Sequence, residues 1–132
     1  MAQFPFQPFI QSTPMATHND TGKRGEALAA CWLIMQGYQI LHHSWRVGRY
    51  EIDLIARRNG VLHFVEVKTG TGTGFGYPED RINKRKWKTF QRCGEQYLHD
   101  FEYPLYLQFD IISIVIRRDQ VSYLLLEDVF TG

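Results

Sequence analysis

The sequence predicts an α/β fold in which one mixed sheet is flanked by helices, in the order helix, strand, strand, strand, helix, strand, strand. Three observations carry that expectation. In Glu51–Arg57 and Val61–Lys68, aliphatic and charged residues recur at a spacing of two around Asn59-Gly60. Asn-Gly between such runs is the strongest short-range hairpin signal, because a type I′ turn needs positive φ at both central residues. Two further segments, Gly25–Gln36 and Lys84 to about His99, space their apolar residues as helices do. The chain then closes on Leu105–Ile116 and Val121–Leu126, both rich in Ile, Leu, Val and Tyr, as well-covered strands are.

Composition bounds the function classes. The 132 residues suit one domain with a real core, and their 44% apolar and 14% aromatic content fits a soluble globular protein. A net charge of +1 leaves any electrostatic argument to local clustering. Cys31 and Cys93 both fall at apolar positions of helical patterns, which points to reduced core thiols rather than a disulfide scaffold. No apolar run reaches the length of a bilayer span, and no basic segment precedes an apolar one at the start. A cytoplasmic protein without a membrane partner is expected.

Residues 1–20 mix Pro, Gln and Phe without periodicity and read as a mobile arm, leaving 21–132 as the single domain. The first helix, Gly25–Gln36, stops at Gly37 in the C′ position. Its stretch Ala27–Met35 is apolar almost all round, so burial on most sides is expected. Glu26 lies on the line of Ala29, Ala30 and Leu33. It either sits at the helix N-terminus, favoured by the dipole, or points into a site. Tyr38–His43 is a short strand whose neighbouring His42 and His43 face opposite ways and are read as structural or exposed. Arg46 and Arg49, which lead into the hairpin, suit either phosphate contacts or ordinary surface.

With Asn59 and Gly60 as the two turn residues, Asp53 falls opposite Glu66 and Glu51 opposite Lys68, on the face of Ile55, Leu62 and Phe64. Directly opposed residues have Cβ atoms about 4.5–5.5 Å apart. Two opposed carboxylates call for positive charge between them, and a divalent cation with Lys68 alongside supplies it. A solvated face with ordinary surface charges is the alternative. Residues 69–78 carry four glycines and are expected to be a connection, neither helix nor strand, serving as a closing loop or a plain linker. Asn83 is a suitable N-cap for the second helix, which turns Trp87, Phe90, Gly94, Tyr97 and Leu98 inward. Lys84, Arg85, Lys86, Lys88 and Arg92 crowd its first half, against the helix dipole. A nucleic-acid backbone would favour them there, and a solvated charge run is the rival reading.

Ile52-Asp53 followed by Glu66-Val67-Lys68 resembles the Asp…Glu-x-Lys signature of the restriction-endonuclease-like nucleases. Gly22-Lys23-Arg24-Gly25-Glu26, Gly37-Tyr38, Trp45-Arg46, Glu51 to Ala56, Phe64 to Lys68, Lys86, Tyr97-Leu98, Phe109-Asp110 and Asp128-Val129-Phe130 resemble the YraN-like family of bacterial proteins. That resemblance covers about residues 22–130. It implies a three-layer nuclease fold with a mixed sheet of about five strands, similar to archaeal Holliday-junction resolvases. It further implies Mg²⁺ or Mn²⁺ held by Asp53 and Glu66, a catalytic Lys68, and Glu26 as the helical glutamate that completes the site. The chain departs from the pattern at Tyr50, Gly70 and Gln108, where the family usually carries Gly, Arg and Arg.

A metal-dependent nuclease acting on phosphodiesters, DNA first and branched DNA among its substrates, is therefore the leading expectation. The alternative is a nucleic-acid-binding or complex-forming module that keeps the fold and turns over little. The expected partner is nucleic acid, through Arg46, Arg49, Lys84, Arg85, Lys86, Lys88 and Arg92. A homodimer is expected where the substrate is symmetric.

Overall fold

A sheet whose strands carry apolar residues on both faces needs cover on both, and here, among the described residues, each face receives one helix. A computed structural model describes residues 18–71, 84–101 and 106–129. The elements are α1 (His18–Met35), β1 (Gln39–Val47), β2 (Tyr50–Arg58), β3 (Val61–Thr71), α2 (Lys84–Phe101), β4 (Tyr106–Arg117) and β5 (Gln120–Leu126). The strands lie in the order β1-β2-β3-β4-β5. All neighbours are antiparallel except β3 and β4, which are parallel. α2 lies between those two in sequence, in the crossover that a parallel pair requires. On one face Ala29, Ala30 and Leu33 of α1 pack on Leu54, Ala56, Val65, Ile112, Ile114 and Ile116. On the other, Phe90, Cys93 and Tyr97 of α2 pack on Ile52, Ile55, Leu62 and Phe64. Phe64 and Phe90 are fully buried there, a gain of roughly 2–3 kcal/mol each. The result is an α/β arrangement consistent with the three-layer restriction-endonuclease-like fold.

The hairpin forms as its residues dictate. Asn59 and Gly60 have φ of 51° and 77°, and β2 pairs with β3 in the expected register from Arg58↔Val61 to Leu54↔Val65. Gly37 terminates α1 with φ of 96°. Tyr38 N donates to Leu33 O and Gly37 N to Ile34 O, the paired bonds of a Schellman cap.

Three expectations are corrected. α1 is not buried on most sides: Ala27, Ile34 and Met35 are exposed, because the sheet covers only the stripe of Ala29, Ala30 and Leu33. The glycine-rich connection does not begin at Thr69. Thr69, Gly70 and Thr71 extend β3, since β4 supplies Ile114, Val115 and Ile116 as parallel partners. Gly25 packs closely on this extension, for a Cβ there would run into the Thr69 side chain. Finally, α1 already begins at His18, within the stretch expected as an arm. The rest of that arm, the loop from 72 to 83 and the Asn83 cap lie outside the described residues. Among the described residues, no helix is long and apolar enough to cross a membrane.

Candidate functional site

The hairpin's charged end is built around a break in strand alternation. In β1, His42 and Trp45 both turn towards the aromatic cluster under α2, although they are three residues apart. Ser44 lies between them with φ of 48°. Their neighbours in β2 behave alike: Ile52 and Ile55 both join the α2 core, while Leu54 joins the α1 core. Asp53 sits at this break. Regular pairing of β2 with β3 ends at Leu54↔Val65, and one residue on, Asp53 Oδ2 accepts the Val67 N–H at 2.8 Å. A carboxylate thus takes the place of a backbone acceptor between the two strands.

The break also re-sorts the expected face. Glu66 lies between Val65 and Val67, which pack towards α1, so Glu66 faces α2 together with Phe64 and Leu62. It is 8% exposed, with Lys68 Nζ at 3.3 Å from one oxygen and Lys86 Nζ of α2 paired with the other. Glu51 does not share that face, as the unbroken alternation had implied. It lies on the α1 side, where it pairs with Arg46 at 3.4 Å and raises the pKa of Glu26.

The electrostatics converge on Asp53. Burial, followed by the charges of Glu26, Glu66 and Glu51, pushes its carboxyl up from 3.8 to about 6, against the lowering effect of the Val67 bond. Glu26 is also raised, by burial first and then by Glu51, with His43 and Lys23 opposing. Asp53 thus feels Glu26 and Glu51, which lie on the α1 side, and also Glu66, which stands on the α2 face with Lys68 and Lys86. Burial first, and neighbouring carboxylates after it, make Asp53 resist ionisation, and hard oxygen donors of this kind fit a dication. Among the described residues these carboxylates are not drawn into a tight cage, and Glu66 is held by its two lysines.

The basic residues separate into two groups. Arg49, Lys84, Arg85, Lys88 and Arg92 line an open groove of about 880 Å³, with Tyr50 and Thr89. The spacing of four residues puts Lys84, Lys88 and Arg92 on the outer stripe of α2. Lys86 is on the inward side, on Glu66, and Arg46 is on Glu51, so neither lines the groove. His42 is structural, its Nε2 lying 3.0 Å from Tyr97 Oη, and His43 is exposed. Cys31 and Cys93 are free thiols, and burial pushes Cys93 up to about 11.

A second polar cluster escapes sequence reading. Among the described residues, the only trio of potential metal ligands within 4.8 Å of one another is His63, Asp110 and Glu127. His63 Nδ1 lies 2.7 Å from Asp110 Oδ2, and both residues are buried. The signal available in sequence is a polar residue interrupting each of two apolar strands. What brings them together is the parallel register of β3 and β4, which no local pattern reveals.

Residues 25–114 match the model of UPF0102, described as an uncharacterised protein family. A UPF0102 protein of Phocaeicola vulgatus is 38% identical over 116 residues, spanning 88% of this chain and 96% of that protein. One from Flavobacterium psychrophilum is 36% identical over 116 residues, covering 88% and 98%. Another, from Porphyromonas gingivalis, is 38% identical over 105 residues, covering 80% and 78%.

Proposed function

The chain belongs to the UPF0102 family, and from its own residues together with their resemblance to the Asp…Glu-x-Lys signature of the restriction-endonuclease-like nucleases we propose a metal-dependent nuclease that hydrolyses phosphodiester bonds in DNA, branched DNA included. The observation that carries this reading is the crowding of carboxylates around Asp53 beside Lys68. Besides bridging strands and pairing with lysines, such carboxylates suit an ion that meets a phosphate.

Asp53 and Glu66 would hold Mg²⁺ or Mn²⁺, with Glu26 beside them. Bound there, the ion would polarise a phosphoryl oxygen and lower the pKa of a coordinated water. The chain's own groups do the rest. Asp53 is oriented by the Val67 N–H, which occupies Oδ2 and leaves Oδ1 for the ion. Lys68 Nζ lies 3.3 Å from Glu66 and is placed to donate to a phosphate oxygen as charge builds on it. Lys86 balances the charge of Glu66. Arg49, Lys84, Arg85, Lys88 and Arg92 bind the flanking phosphates, and the N-terminus of α2 adds its dipole to theirs.

The lysine hold on Glu66 favours a second reading, a module that binds DNA through the groove without cutting it. Labelled duplex, single-stranded and four-way DNA incubated with the protein in Mn²⁺ or EDTA separates the two. Cleavage that needs Mn²⁺ and disappears in Glu66→Gln is the expected outcome. Tight binding with no cutting on any substrate would assign the module instead.

A further inference from the structure

We propose that His63, Asp110 and Glu127 form a second metal site, which takes a first-row transition ion such as Zn²⁺ and ties the segment after β5 to β3 and β4. It is distinct from the carboxylates around Asp53. His63 is flanked by Leu62 and Phe64, both in the core under α2, so its ring lies on the opposite, α1 face of the sheet. Glu66 lies on the α2 face.

Geometry comes first. The imidazole and the two carboxylates each bring a ligand atom within 4.8 Å of the others, from three separate segments of the chain. Their orientation is already set. His63 Nδ1 is held by Asp110 Oδ2 at 2.7 Å, while Asp110 Oδ1 accepts from Gln108 Nε2 at 3.0 Å and from Asp128 N at 2.9 Å. The two bonds to Oδ1 come from outside the trio, and such outer hydrogen bonds hold ligating carboxylates in place in known metal sites. The His63–Asp110 bond joins two of the ligands, and an ion bound by both would take the place of its proton.

A second observation, which adds a residue outside the trio, points to something bound. Among the described residues, two buried side-chain polar atoms lack a hydrogen-bond partner, and both are here: His63 Nε2 and Tyr38 Oη. Tyr38 is 3% exposed, and its ring stands edge-on to His63 with centroids 4.9 Å apart. Tyr38 therefore borders the cluster through the His63 ring. Buried polar atoms without protein partners are rare, and a bound ion or water is a common reason for them. The nearby Arg58 guanidinium lies over the Tyr38 ring, 4.4 Å from its centroid, and hydrogen-bonds Gln36 O.

The donor set selects the ion. Two carboxylates and a neutral imidazole carry charge that one dication balances. The nitrogen ligand favours Zn²⁺ and its neighbours over Mg²⁺, which prefers oxygen and water. The consequence is structural: Asp128 N and Val129 N already hydrogen-bond Asp110 and Phe109 O, and an ion on Glu127 would lock that strap onto the sheet.

The test uses the full chain carrying Asp53→Asn and Glu66→Gln, stripped with EDTA, so that the other carboxylate pair is removed. Zn²⁺ titrated by calorimetry should bind saturably at one ion per chain, and the melting temperature should rise with it. Adding Glu127→Gln, an exposed position that does not threaten folding, should weaken binding at least about tenfold. Excess Mg²⁺ should not displace the Zn²⁺. Absence of saturable binding, or an affinity indifferent to Glu127→Gln, would overturn the proposal. Neither result bears on the nuclease reading, which is tested by cleavage in Mn²⁺.

Discussion

Replacing Asp53 with Asn should stabilise the protein at neutral pH while removing the proposed activity. The carboxyl stands at about 6 in the folded chain against 3.8 for the ordinary group. A folded pKa above the unfolded one means that the fold holds its proton more tightly than the unfolded chain does. This contribution is fully present below about pH 4 and is lost as pH rises through about 6. A shift of roughly two units corresponds to about 3 kcal/mol at most, worked at 1.36 kcal/mol per unit. Asn keeps an oxygen to accept the Val67 N–H, so that bond survives the change. Urea denaturation in EDTA is the assay. At pH 8 the Asn variant should be more stable by up to about 3 kcal/mol, on the order of 10 °C in Tm, and at pH 3.5 the two proteins should nearly coincide. Mg²⁺ should narrow the gap at pH 8, since an ion that binds only the folded wild type stabilises it by mass action. A variant equal to or weaker than wild type at pH 8, or a difference that does not shrink in acid, would refute the claim that burial, with the neighbouring carboxylates, disfavours the Asp53 charge in the fold.

Three further outcomes are expected. Gly25→Ala should destabilise by about 1–3 kcal/mol, because its Cβ meets the Thr69 side chain. The same change should cost less in a Thr69→Gly background, as a double-mutant cycle will read. Changing Lys84, Arg85, Lys88 and Arg92 together to Gln should weaken DNA binding and flatten its salt dependence, by roughly 0.9 in log–log slope for each phosphate no longer neutralised. An unchanged slope would remove the groove from the interface. Cys93, with its thiol pushed up to about 11 and buried, should resist iodoacetamide at pH 8 until the protein is unfolded. Mass spectrometry would detect earlier modification.

Local signals accounted for the elements because each is decided over a few residues. Asn59-Gly60 sets the hairpin and its register, Gly37 caps α1, and the inward stripe of α2 is legible as Phe90, Gly94 and Tyr97. The candidate site was legible in part. Asp53, Glu66 and Lys68 come from two strands joined by a two-residue turn, so pairing arithmetic reaches them. Glu26 was visible only as a carboxylate out of place on an apolar stripe. Ile34 and Met35 show the opposite limit, since their hydrophobicity says nothing about whether another element is there to cover them.

What the chain determined alone was therefore composition, periodicity and turn chemistry: an α/β order of elements and a charged hairpin end. What needed the tertiary structure was everything set by partners distant in sequence. The parallel pairing of β3 with β4 carried β3 through Thr71 and brought His63 to Asp110. The break in alternation at Asp53 put Glu51 on the α1 side, and α2 laid Lys86 on Glu66. Strand alternation is a local rule, but where it breaks depends on which helix each face has to meet.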